Sequence, residues 1–391
     1  MIILDKPYVS KLLEETIVKL KIPVLKNEMS ENCKLKGEMN IIDSKKFIDE
    51  VKREKNPLIY TNSENSINWI TNNLEFTNLS QNIEKFKDKF KFRELIKEMY
   101  PDFYFKEIDY KDIEKLDISK IKMPFIIKPT IGFFSFGVYK VNSISEWKDV
   151  LTKLKKEVKD IQDIYPIEVV NSNKFIIEEN IEGEEFALDV YYDNQGKAVI
   201  LNILKHIFSS GDDVNDRVYI TSKEIIEEYH ELFLDFLNKM GNLINIENFP
   251  MHIEFRVDNN KKIVPIEVNP MRFAGWCTTD IAYYAYGINT YEYFFDQKSP
   301  DWKEILKSKK DKVYSIVIAD ISKDIDVNEI EKIDYEKYNS YFKKVLELRK
   351  TDYIKHNVFA FLFAETKKED FIEIENILKS DLKQFIKMKN Q

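Results

Sequence analysis

Apolar residues recur along this chain with two different periods. In the first part, short apolar runs alternate with amphipathic stretches: "MIIL" reads as a strand, Tyr8 to Leu20 as a helix, and "PVLK" as a strand. "SKKFIDEVKREK" then reads as a helix, "PLIYTN" as a strand and "NSENSINWITNN" as the next helix. Such alternation predicts a small parallel α/β unit. A charged segment, "QNIEKFKDKFKFRELIKEMYP", follows as linker plus helix, stopped by its proline.

From "MPFIIKP" onward the period drops towards two. "KFIIEE", "EFALDVYYD", "KAVILNILKHIF", "MHIEFRVD" and "KIVPIEV" read as strands, with hairpin signals at "DNQG" and "DNNKK". Helices are predicted at "SEWKDVLTKLKKEVKD" and "KEIIEEYHELFLDFLNKM". The tail alternates again: strand "VYSIVIADI", a helical stretch, strand "HNVFAFLFAE" and a closing helix from about Lys368.

Composition narrows the function classes. A chain of 391 residues is too long for one compact core, so two or three lobes are expected. The net charge of −8 argues against a general nucleic-acid binder. Two cysteines and four histidines supply neither a disulfide framework nor a histidine-based metal site. No apolar run suits a membrane span, and Asp5 and Lys6 interrupt any leader-like start, so a cytoplasmic protein is the expectation. Glycine is scarce: 9 in all, seven of them between residues 132 and 275, so each marks a turn or a close backbone approach.

Three stretches carry candidate chemistry. In "FIIKPTIGFFSFGVYKV", Gly132 and Gly137 have P-loop spacing, but Val138 stands where the lysine would be, which excludes a Walker A loop. What remains is a hairpin flap with Lys128 at its base, whose backbone N–H groups and Ser135 could cover phosphates; an ordinary hairpin with a surface lysine is the other reading. "KFIIEENIEGEEFALDV" reads as a second hairpin with an acidic turn, either solvated or accepting hydrogen bonds from an amino group and ribose hydroxyls. In "MHIEFRVDNNKKIVPIEVN", Glu267 and Asn269 share a face because side chains repeat every two residues, and Glu254 can join them. Three oxygen donors on a mostly apolar hairpin suit Mg2+, with Mn2+ as a substitute. Arg272 follows, its planar fork suited to an oxyanion.

Together these motifs resemble the ATP-grasp enzymes over roughly residues 85 to 290. "MIILDKPYVSKLLEETI" and "NPMRFAGWCTTD" are most similar to the carboxylate–amine and L-amino acid ligase branch. The resemblance implies an α/β fold in three parts. A Rossmann-like lobe would span 1–85, the ATP-grasp domain 86–310 with its lid at about 121–180, and a small α/β subdomain 311–391. It further implies Lys89 near the ATP phosphates, Lys128 on the α and β phosphates, and the flap with Ser135 over the nucleotide. Glu178 and Glu179 would lie near the adenine amino group, Ile181 would make a backbone contact and Glu185 would hold the ribose. Glu254, Glu267 and Asn269 match the magnesium ligands. Arg272 matches the arginine facing the transferred phosphate or substrate carboxylate, with Met271 inserted relative to many relatives.

The implied reaction is ATP-dependent joining of a small-molecule carboxylate to an amine, amino acids foremost, through an acyl phosphate. Neither nucleic acid nor membrane is an expected partner, and a homodimer stays open. A carboxylase or kinase with another acceptor, or a non-catalytic nucleotide binder, are the alternatives. Lys205, His206, Asp216 and Arg217 run near the expected acceptor side, or else form a polar surface loop. For Arg272, a salt bridge to a neighbouring acid such as Asp280 is the structural alternative.

Overall fold

The first four strands, β1 (Ile2–Ile3), β2 (Pro23–Leu25), β3 (Asn40–Ile42) and β4 (Tyr60–Thr61), pair in the order β3-β2-β1-β4, all parallel. Their residues are almost wholly apolar because helices must cover such a sheet. The predicted amino-terminal alternation is therefore present. This computed structural model describes residues 1–132, 137–162, 174–209, 217–322 and 324–389, with side chains for all of these but 158–162.

The charged segment after the first sheet holds two helices, Leu79–Lys87 and Lys89–Leu95, rather than a linker and one helix. Asp88 divides them, its carboxylate accepting from the backbone N–H groups of Phe90 and Lys91 as an N-cap. A second sheet follows: β5 (Phe105–Asp109), β6 (Phe125–Pro129), β7 (Tyr139–Val141) and β8 (Lys174–Glu179), antiparallel in the order β5-β8-β6-β7. It has its own core, built on Phe125, Ile127, Trp147, Leu154, Phe175 and Ile177.

The largest sheet has eight strands. It comprises β9 (Glu184–Tyr192), β10 (Ala198–Ile207), β11 (Val218–Ser222), β12 (Phe249–Val257), β13 (Ile263–Pro270) and β14 (Lys312–Asp320). β16 (Val345–Lys350) and β17 (Val358–Lys367) complete it, while β15 (Ile330–Ile333) pairs separately with β18 (Ile386–Met388). The order β13-β12-β9-β10-β11-β14-β17-β16 makes the carboxy-terminal strands a continuation of the central sheet, since β11 pairs with β14. The stretch expected to be helical after "VYSIVIADI" thus includes strand "VLELRK". Its Glu347, Arg349 and Lys350 broke the apolar β pattern.

A second correction concerns "KFIIEENIEGEEFALDV". β8 and β9 do not form a hairpin; β8 belongs to the small sheet and β9 to the large one. The short connection crosses between sheets at Gly183, which has φ +124 and would place a Cβ 2.2 Å from the carbonyl oxygen of Val257. Only glycine fits there.

Candidate active site

The two central strands explain why the acidic residues meet. In the β12–β13 ladder Glu254 lies directly opposite Glu267, and His252 opposite Asn269. On the other edge of β12, His252 faces Asp189 of β9. One face of three adjacent strands therefore carries Asp189, His252, Glu254, Glu267 and Asn269. The bulge after Glu254 brings Pro265 opposite Phe255, a position that tolerates a residue without an N–H.

Two carboxylates directly opposed across a ladder repel each other unless a cation sits between or beside them. Lys89 answers part of that charge, its Nζ 3.0 Å from Glu267. Burial disfavours the ammonium, but Glu267, with Glu64 and Glu178 behind it, raises the lysine's pKa overall. These groups could hold a divalent cation: two partly exposed carboxylates and a buried amide side chain lie on one face. Among the described residues no three His, Cys, Asp or Glu side chains gather as a metal cluster, so the amide is needed as third donor. A bound Mg2+ would neutralise phosphate oxygens there.

Lys128 is buried at the end of β6, with Nζ 2.6 Å from Glu178 Oε1. Arg93 donates from Nε to the other oxygen of Glu178 at 2.7 Å, and from Nη1 to the Pro265 carbonyl at 2.7 Å. This buried triad ties the small sheet to β13. Burial would push the Glu178 carboxyl up, yet the two cations hold it at about 2. Lys128 moves the other way from an ordinary lysine, downward: burial leads, and Arg93 and Lys89 repel it while a single carboxylate attracts it. Glu178 is also almost fully buried between Lys128 and Arg93, which leaves its carboxylate little open surface for an adenine amino group. Glu179 points from the opposite face of β8, with its N–H donating to the Tyr104 carbonyl, and half-buried Ile181 lies in the crossover.

Glu185, expected on ribose, accepts from His206 Nδ1 at 3.0 Å and from Arg256 Nη2 at 2.7 Å. Burial opposes its ionisation, but these two partners keep its pKa below the usual carboxylate value. His206 thus belongs with the crossover, as does Lys205, which pairs with Glu184. Arg217 does not: it donates to the carbonyls of Leu378 and Ser380. Ser135 and Asp216 lie outside the described residues.

The turn after β13 sets the direction of Arg272. Met271, buried, takes φ +66, while Gly275 needs no such conformation. The Met271 N–H donates to the Pro250 carbonyl at 2.8 Å, and the Met271 carbonyl accepts from the Thr61 N–H at 2.8 Å. Phe273 turns inward, 5.2 Å from the ring of Tyr60, so Arg272 turns outward. There its Nη2 donates to Glu64 Oε1 at 2.6 Å, and Lys87 holds the other Glu64 oxygen at 3.2 Å. Asp280 is not the partner of Arg272; it is occupied by Arg349 at 2.7 Å and by the Tyr291 hydroxyl at 2.8 Å. Glu64, Arg93, Asp189, His252 and Arg349 were not anticipated. "MHIE" did carry a signal for His252, which shares the face of Glu254.

Lysines, paired carboxylates and an arginine thus converge where β13, β6 and the helix Lys89–Leu95 meet. Residues 121–280 match the family model described as the ATP-grasp domain. Residues 121–280 of this chain thus carry an ATP-grasp domain. The ATP-grasp fold is shared with the crystal structure of L-amino acid ligase from Bacillus licheniformis, at TM-score 0.67 and 18% identity over 100% of this chain and 98% of that one. It is shared too with N5-carboxyaminoimidazole ribonucleotide synthetase from Thermotoga maritima, at TM-score 0.63 and 14% identity over 99% and 98% of the two chains. Biotin carboxylase from Campylobacter jejuni superposes at TM-score 0.60 with 13% identity, over 94% of this chain and 87% of that one. No curated protein matches the chain in sequence. Among the described residues, no helix is long and apolar enough to cross a membrane.

Proposed function

We propose that this protein is an ATP-dependent carboxylate–amine ligase that forms an amide bond and releases ADP and phosphate. The observation that carries the reading is the face of Glu254, Glu267 and Asn269 with Lys89 at 3.0 Å from Glu267. Lys89 and Lys128 would hold ATP phosphates, and Glu254, Glu267 and Asn269 would hold Mg2+. The backbone of Glu179 to Ile181 would take the adenine edge, with Glu185 near the ribose. Arg272 would face the activated carboxylate or the moving phosphate. Phosphoryl transfer asks mainly for positioning and charge neutralisation, which these groups provide without a protein nucleophile. The substrate carboxylate attacks the γ-phosphorus and ADP leaves; the amine nitrogen then attacks the acyl carbon, phosphate leaves and the nitrogen gives up a proton. In this reading the lobes span 1–85, 86–310 and 311–391.

Likeness in fold to biotin carboxylases, one of them in complex with bicarbonate, supports a second reading, a carboxylase in which bicarbonate is the acid and another group the acceptor. Phosphate release from ATP across pooled carboxylates, with and without pooled amines, separates the two. Release needing an amino acid pair, with a dipeptide-like product by mass spectrometry, supports the ligase. Release with bicarbonate alone as acid supports the carboxylase. ATP bound without turnover under every mixture would contradict both.

A further inference from the structure

Asp189 sits on β9 at 0% exposure, one strand away from the proposed metal face. Its Oδ1 accepts twice: from His252 Nδ1 at 2.8 Å and from the Ala274 N–H at 2.7 Å. Oδ2, equally buried, has no partner. A fully buried carboxylate with one oxygen idle is costly, and an apolar side chain there would suit stability better. Local rules broken in this way without a compensating gain in packing tend to mark functional positions.

The two donors show what that gain is. Ala274 lies two residues after Arg272, so this bond fixes the outgoing limb of the turn whose incoming limb is held through Met271 by Pro250 and Thr61. His252 lies between Asp189 and Asn269 in the strand register, and its second nitrogen, Nε2, is 3.9 Å from Glu254 Oε1. An ionised Asp189 can only accept, which would put the facing ring hydrogen on Nδ1; Nε2 is the nitrogen on the side of Glu254. We propose that Asp189 is a positioning residue. One oxygen locks the His252 ring beside Glu254 and the Arg272 turn beside it, and thereby sets the distance between the two halves of the reaction centre. The catalytic consequence rests on the ligase reading; the geometric part stands without it.

The test uses the full chain with 15N-labelled histidine, the His252 signal being identified by its loss in His252→Gln. In the wild type, hydrogen is expected on Nδ1 of His252. In Asp189→Leu it should move to Nε2, with turnover falling about 10- to 100-fold as for other partners of metal-site residues. The KM for ATP and the melting temperature should hold. Asp189→Asn keeps an acceptor oxygen in place and should restore the Nδ1 hydrogen and most turnover. A wild-type His252 with its hydrogen on Nε2, or an Asp189→Leu protein with unchanged ring and turnover, would overturn the proposal. A fall in melting temperature matched by the fall in turnover, in both variants, would make Asp189 scaffold only and overturn it too. If Asp189→Leu does not fold, Asp189→Asn decides: a folded variant that has lost the Nδ1 hydrogen refutes the lock. If no carboxylate–amine pair supports turnover in the wild type, the ligase reading fails, and the ring signal still decides the role of Asp189.

Discussion

Arg272 and Glu64 stand 208 positions apart in the chain and meet at 2.6 Å, a turn after the central sheet held by a loop of the amino-terminal one. The pair presents the guanidinium fork with an oxyanion already in place. Arg272→Lys should keep the bond to Glu64 and hence the melting temperature. Turnover should nonetheless fall by about 100-fold or more, since a lysine cannot bind an oxyanion bidentately. Retained turnover with lowered stability, measured by steady-state kinetics and thermal melting, would place Arg272 in the scaffold.

Acid should loosen the protein through two carboxylates. Glu64 and Glu178 are each brought from the ordinary 4.5 to about 2, against the pull of burial, by Arg272 and Lys87 in one case and Arg93 and Lys128 in the other. A depressed folded-state pKa gives stability that is present above the unfolded value and lost as pH falls through the folded one. The window is therefore about pH 5 down to 2, with at most about 3 kcal/mol from each group. Urea midpoints measured across that range should fall steeply in the wild type and more gently in Glu178→Gln.

Much of this was legible in sequence, for identifiable reasons. Alternation along "KKIVPIEVN" set Glu267 and Asn269 on one face, and the ladder placed Glu254 opposite. The parallel sheet followed from helices spaced between apolar runs. What did not show was any relation between distant segments. "NSENSINWITNN" reads as a helix, and nothing local says that its Glu64 reaches Arg272. "KFIIEE" and "EFALDVYYD" look like hairpin partners because periodicity cannot tell which sheet a strand joins. Arg349 lies in a charged strand whose pattern hides that its guanidinium is buried against Asp280.

Lys128→Met should abolish most of the rise in melting temperature that Mg-ATP gives the wild type by mass action. It should also lower basal stability by about 2 kcal/mol, less than the loss of a whole buried ion pair, because Arg93 stays on Glu178. Equal Mg-ATP shifts in the two proteins would remove Lys128 from the nucleotide site.

Gly183→Ala should be far more disruptive than its size suggests. At φ +124 the new Cβ would meet the Val257 carbonyl at 2.2 Å, so the crossover between the sheets must shift. A loss of about 3 kcal/mol or more in urea unfolding is expected; a loss under about 1 kcal/mol, the ordinary effect of a point substitution, would show that the crossover bends freely.

The central claim is that a substrate carboxylate is activated by phosphoryl transfer before an amine takes it. Turnover with a carboxylate substrate labelled with 18O in both oxygens tests this most directly. If an acyl phosphate forms, one labelled oxygen must leave with phosphate, so mass spectrometry should find singly labelled phosphate alongside ADP. Unlabelled phosphate, or release of AMP and pyrophosphate, would contradict it.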